Sequence, residues 1–141
     1  MTFSIRLRTL VLPLRDPFVI ARSSHGEGRT STTILAELRD DADGPDGPVG
    51  LGEGYPDTYY GETPATVAAV VPLLLESLDP LGPALRGSLD DARTALVATE
   101  GAMAAAIGSH GGAKCAVDIA LHDLVGKRLG LPIRSLLGID A

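Results

Sequence analysis

Apolar residues recur at Ala113, Ala116, Val117, Ala120, Leu121 and Leu124, the three-and-four spacing of one helical face, and Gly130 with Pro132 supplies the stop. A helix carrying one continuous apolar face must bury it against a second layer, so the chain before it has to provide that layer.

The preceding chain divides into strands and then helices. From Ser4 to Leu14, Ile5, Leu7 and Val11 alternate with Arg6 and Arg8, which predicts a half-exposed strand. Thr30 to Leu38 predicts a second strand and Val49 to Gly54 a short third one. The run Asp40-Asp-Ala-Asp-Gly-Pro-Asp-Gly47 between them is dense in turn formers. Thr63 followed by Pro64 forms an N-cap with a first-turn proline, and Val67, Val70 and Val71 continue a helical face to about Leu78. Pro72 removes a backbone donor inside that helix, which predicts a kink or a break, and Pro80, Gly82 and Pro83 close the segment. Ser88 with Asp91 reads as a capping-box-like start for a helix bearing Ala92, Leu96 and Met103 and ending near Ile107. Gly108 to Gly112 reads as a flexible joint. The expectation is an α+β fold, a three-stranded antiparallel meander followed by about three helices on one sheet face.

Composition excludes several classes. The net charge of −6, with the 12 basic residues scattered, argues against nucleic-acid binding, because phosphate contacts need clustered Lys and Arg. The N-terminal segment lacks a signal-peptide apolar core, and no uninterrupted apolar run approaches a membrane span, so no membrane partner and a cytoplasmic location are expected. The single cysteine, Cys115, excludes an intrachain disulfide and reads as a small buried helical residue.

The string Ala-Lys-x-Ala-x-Asp-x-Ala-Leu-x-Asp-Leu-x-Gly-Lys-x-x-Gly-x-Pro from Ala113 to Pro132 resembles the helix that joins the small N-terminal domain to the barrel in enolase-superfamily enzymes of the mandelate racemase/muconate lactonizing type. Asp16-Pro-Phe-Val-Ile-Ala-Arg-Ser-Ser24 and Gly52-Glu-Gly-Tyr-Pro-Asp-Thr-Tyr-Tyr-Gly-Glu-Thr63 are similar, within that family, to the dipeptide (L-Ala-D/L-Glu) epimerases. The resemblance implies a capping domain over residues 1–110 and a linker helix over 111–141 leading towards a (β/α)₈ barrel. It also implies a Mg²⁺ ion and two lysines that move a proton at a substrate α-carbon, all carried by the barrel. A barrel takes about 250 residues, and nine residues follow Pro132, so the barrel, the metal ligands and the catalytic residues are expected to lie outside this chain, which alone should be inactive and bind no cofactor. Another activity of the family, such as muconate cycloisomerisation or o-succinylbenzoate synthesis, and a non-catalytic interaction domain are the alternatives. The resemblance further implies that the signature helix buries a face on the barrel, so a chain without one should self-associate.

The site candidates lie in two loops that the resemblance places over the barrel mouth. Arg22 can grip a substrate carboxylate bidentately, and Ser24 and His25 add polar capacity beside it. Tyr59 and Tyr60 combine apolar area with a polar tip, which suits a lid that excludes water. Glu62 and Thr63 read as start signals of the helix that follows. Gly50-Leu-Gly-Glu-Gly54 is not a phosphate loop, since Tyr55 stands where a glycine belongs. Asp40, Asp41, Asp43 and Asp46 lack the spacing of a calcium loop and read as a solvated hairpin tip. Asp123 and Lys127 form an i, i+4 pair, with Asp118 and His122 on another face.

Overall fold

Strands with alternating inward and outward residues build the sheet. The computed structural model describes residues 2–17 and 29–139, and within them β1 (Phe3–Pro13) pairs antiparallel with β2 (Thr30–Asp40), which pairs antiparallel with β3 (Gly50–Gly54), in the order β1-β2-β3. Ile34, Ala36 and Leu38 of β2 point into the core, as their period of two requires. Ile5 and Leu7 of β1 join them, whereas Val11 is exposed.

The helices α1 (Pro64–Leu78), α2 (Gly82–Leu85), α3 (Leu89–Ala106), α4 (Gly111–Leu129) and α5 (Ile133–Leu136) follow. Thr63 caps α1 reciprocally with Thr66. The chain does not break at Pro72, and α1 runs through it as one helix. Pro72 and Ala68, the residue whose carbonyl it deprives of a donor, both lie on the exposed side, where that carbonyl is open to solvent. The opposite side, Val67, Val70, Val71, Leu74, Leu75 and Leu78, is buried and holds the helix in place. By length and mean hydropathy the stretch Pro64–Leu85 is apolar enough to cross a membrane, which the sequence reading missed, and its buried residues identify α1 as a core helix of this domain. Ser88 and Asp91 form the capping box expected at α3.

α4 is embedded in the domain: Ala113, Ala116, Val117, Ala120, Leu121, Leu124 and Val125 are completely buried against the sheet, α1 and α3. The glycines of β3 make this possible. A Cβ on Gly50, Gly52 or Gly54 would stand 2.0–2.1 Å from the carbonyl oxygens of Ala120, Ala116 and Gly112, so the Gly-x-Gly-x-Gly run is a bed for the helix backbone. The outer edge of β3 is also covered from α4. Leu51 N–H donates to Asp123 Oδ2 at 2.7 Å, Lys127 Nζ donates to the Val49 carbonyl at 2.8 Å, and the Cys115 thiol approaches the Glu53 carbonyl at 3.7 Å. Cys115 is therefore exposed beside the strand edge, not buried as expected, because the helix buries its alanine face and turns the thiol outward.

The acidic turn also differs from its reading as a wholly solvated tip. Asp40 is buried and receives Arg86 Nε and Nη2 at 2.8 and 2.9 Å, Arg128 Nη2 at 2.9 Å and the Ala42 N–H at 2.9 Å, while Asp43 also takes Arg128. Burial opposes the charge on Asp40, but Arg86, the Ala42 amide and Arg128 together outweigh it and hold the carboxyl below the usual range. This cluster ties the end of β2 to α2 and α4.

Candidate functional site

The tyrosine loop is built by local capping. After β3, Asp57 accepts the Tyr59 N–H at 2.9 Å and so caps a single 3₁₀ turn, Thr58–Tyr60. Gly61, at φ 77°, reverses the chain, and the Glu62 N–H returns to the Asp57 carbonyl at 3.1 Å. The turn presents Tyr59 and Tyr60, which are 64% and 74% exposed and pack edge to face with ring centroids 5.0 Å apart. Both rings are thus placed on the surface.

Glu62 fastens the loop to the rest of the domain. Its side chain is buried, and Oε2 accepts the Gly112 N–H at 2.8 Å in the first turn of α4. The sequence reading attached Glu62 to the helix just after it. The structure assigns it to α4, fifty residues away, where the helix dipole favours a carboxylate. Gly112 has to be glycine, since a Cβ there would lie 2.4 Å from Glu62 Oε2 and 2.9 Å from the Tyr55 carbonyl. Within the segment read as a joint, Ser109 and His110 both have φ 57°, a left-handed conformation costing non-glycine residues about 1–2 kcal/mol each. Lys114 Nζ closes the end of α3 by donating to the Ile107 carbonyl at 2.7 Å. Together Tyr55, Asp57, Tyr60 and Glu62 face Ser109–Gly112 across an open cleft of about 430 Å³.

The cleft is open, with Tyr55 and Tyr60 on one side and the start of α4 on the other. It brings Asp57, Glu62, Ser109 and His110 to one opening where they can contact a ligand. Among the described residues no three His, Cys, Asp or Glu side chains are grouped to hold a metal ion, so these residues do not fit the Mg²⁺ that the family resemblance implies. Arg22, Ser24 and His25 lie outside the described residues. Sequence reasoning names Tyr59 and Tyr60 as candidates and does not anticipate the contacts of Asp57 and Glu62 or the left-handed backbone of Ser109 and His110. The only local signal was Gly111-Gly112, a pair that periodicity does not require.

His122 and Asp118, on the exposed side of α4, form a second polar feature. His122 Nδ1 lies 2.9 Å from the Asp118 carbonyl and 3.4 Å from Asp118 Oδ1. The Asp118 side chain raises the affinity of His122 for a proton, against the opposing effect of partial burial.

A three-stranded meander backed by helices, with a capped aromatic turn after β3, defines an α+β domain. Residues 3–138 match the family described as mandelate racemase / muconate lactonizing enzyme, N-terminal domain, and the chain belongs to it. The chain is 33% identical over 131 residues to L-Ala-D/L-Glu epimerase of Escherichia coli (strain K12), covering 90% of this chain and 32% of that protein. It is 30% identical over 140 residues to N-succinyl-L-Arg/Lys racemase of Bacillus cereus (strain ATCC 14579), covering 96% of this chain and 32% of that one. A solved mandelate racemase/muconate lactonizing enzyme structure from Silicibacter pomeroyi superposes with a TM-score of 0.65 at 28% identity, covering 99% of this chain and 33% of that chain. A solved L-Ala-D/L-Glu epimerase shares the fold, with a TM-score of 0.60 at 24% identity, over 99% of this chain and 34% of that chain. The chain spans about one third of the length of the curated relatives it matches.

Proposed function

We propose that this chain is the substrate-covering domain of an epimerase that inverts the α-carbon of the second residue of a dipeptide such as Ala-Glu. The observation that carries this reading is the tyrosine loop, capped by Asp57 and fastened by Glu62 to α4, in a domain whose relatives include an L-Ala-D/L-Glu epimerase. In this reading the domain recognises substrate and excludes water, with Arg22 binding a carboxylate and Tyr59 and Tyr60 lying over the dipeptide. The α-proton is removed on one face and returned on the other by residues of a partner barrel domain, where Mg²⁺ would also be held. The complex would act in the cytoplasm.

The likeness to N-succinyl-L-Arg/Lys racemase favours a second reading, an N-acylated amino acid as substrate. Exchange of the α-proton for deuterium, followed by NMR, tests both readings. The 141-residue chain alone is expected to show no exchange above buffer with either substrate. Joined to the C-terminal two thirds of the epimerase relative, it is expected to exchange Ala-Glu faster than N-succinyl-arginine or N-succinyl-lysine. In that chimaera Arg22→Ala should lower kcat/KM for Ala-Glu by about tenfold to a hundredfold, the loss of one charge-assisted contact. Preference for the succinylated substrates would establish the second reading, and Mg²⁺-dependent exchange by the chain alone would overturn the division of labour.

A further inference from the structure

Both ends of the tyrosine loop converge on one residue of α4. Where β3 ends, Thr33 Oγ1 donates to the Gly54 carbonyl at 3.0 Å, and Gly54 lies so close to the Gly112 carbonyl that it has no room for a Cβ. One residue on, the Tyr55 carbonyl stands against Gly112, and the buried Glu62 then returns to accept the Gly112 N–H at 2.8 Å. Residues 55–62 therefore form a compact surface loop whose base is closed on α4. Bonds inside the loop fix its shape: the Tyr60 and Glu62 N–H groups donate to the Asp57 carbonyl at 3.0 and 3.1 Å, and the Gly61 N–H donates to the Thr58 carbonyl at 3.1 Å. They do not fix how the loop sits on the domain, because donor and acceptor move together.

The Glu62 side chain makes that connection. The start of α1 does not require it, since Thr63 and Thr66 already cap that helix reciprocally. Its carboxylate is instead spent on the first turn of α4, where a charged acceptor makes a stronger bond than a neutral one and the helix dipole favours it. Away from the Gly112 N–H the same carboxylate would be a buried charge without a donor, which holds it in place. The receiver is fixed in turn, because α4 lies on the glycines of β3 and is tied to that strand's edge by Asp123 and Lys127. Tyr59 and Tyr60, packed edge to face just before Glu62, are carried by this attachment.

We propose that Glu62 is the positioning residue of the tyrosine loop: through Gly112 it sets where Tyr59 and Tyr60 lie over a bound substrate, an inference that rests on the substrate-covering role proposed above. The chain reports on this directly. Its three tyrosines all lie in the loop and it has no tryptophan, so the tyrosine band of near-ultraviolet circular dichroism comes from the loop alone. In the 141-residue chain Glu62→Ala should reduce that band by about half or more with the far-ultraviolet spectrum kept, and Glu62→Gln, which still accepts the Gly112 N–H, should retain it. Glu62→Asp keeps the charge but stops one methylene short of Gly112; it should lose part of the band and carries the test if Glu62→Ala does not fold. Ser88→Ala, which removes the remote cap of α3, should lower stability and leave the band unchanged. In the chimaera with the epimerase relative, Glu62→Ala should raise KM for Ala-Glu about tenfold with kcat within about threefold, and Glu62→Gln should stay near wild type. A tyrosine band equal to wild type in Glu62→Ala, or in Glu62→Asp where the alanine variant is unfolded, overturns the assignment. So does a band lost equally in Ser88→Ala, which would make it a measure of stability alone. A band that is lost while KM for both Ala-Glu and N-succinyl-arginine is unchanged overturns it through the reading on which it rests, since the loop then covers neither substrate.

Discussion

At the residue scale, buried charge and its partners decide more than the sequence pattern discloses. Asp40 lies in a run of turn-forming acids, yet it alone is buried and it serves two arginines from separate helices. Asp40→Asn should leave Arg86 and Arg128 without their common counter-charge and cost about 3 kcal/mol in urea unfolding at neutral pH, the lower end for breaking a buried pair because both arginines keep some solvent contact. The folded carboxyl titrates below its ordinary value, so its contribution is complete above the unfolded pKa of about 3.9 and is lost as pH falls through the folded value. The difference between wild type and Asp40→Asn should therefore shrink in acid and not at alkaline pH. Asp41 offers the contrast, since it is exposed and its replacement by Asn should change stability by less than about 0.5 kcal/mol.

At the element scale, the contact between α4 and β3 is set by what the strand lacks. Gly52→Ala would drive a Cβ to 2.0 Å from the Ala116 carbonyl, a clash with backbone that no rotamer change relieves, and should destabilise by about 3 kcal/mol or more. Gly101→Ala in α3 is the internal control. Nothing lies within 4 Å of its added Cβ, so the substitution should stabilise by about 0.5–1 kcal/mol through helix propensity and reduced unfolded-state entropy. Thermal and denaturant midpoints moving in opposite directions for the two variants would establish the glycine strip as a packing device. Pro72 makes the same point in reverse: local rules predict a break, and burial of the opposite face keeps the helix continuous.

At the scale of the whole molecule, one core joins the sheet to α1, α3 and α4, with Arg93 holding α5 through the Ser135 and Leu136 carbonyls. The 141-residue chain should therefore unfold in a single cooperative transition, with far-UV circular dichroism and the protection of α4 amides lost together; separate transitions would mean that α4 docks only weakly. The sequence by itself determined the order of strands and helices, the buried face of α4 and the surface position of Tyr59 and Tyr60. Each of these rests on periodicities and caps acting over a few residues, and the family motif lies in the same short runs. Only the tertiary structure decided that Glu62 caps a helix fifty residues away, that Asp40 is buried beneath Arg86 and Arg128, that Gly50, Gly52 and Gly54 carry a helix and that Cys115 faces outward. Those relations join segments far apart in the chain, and a carboxylate or a glycine has the same local pattern whether its partner is water or a helix brought to it by folding.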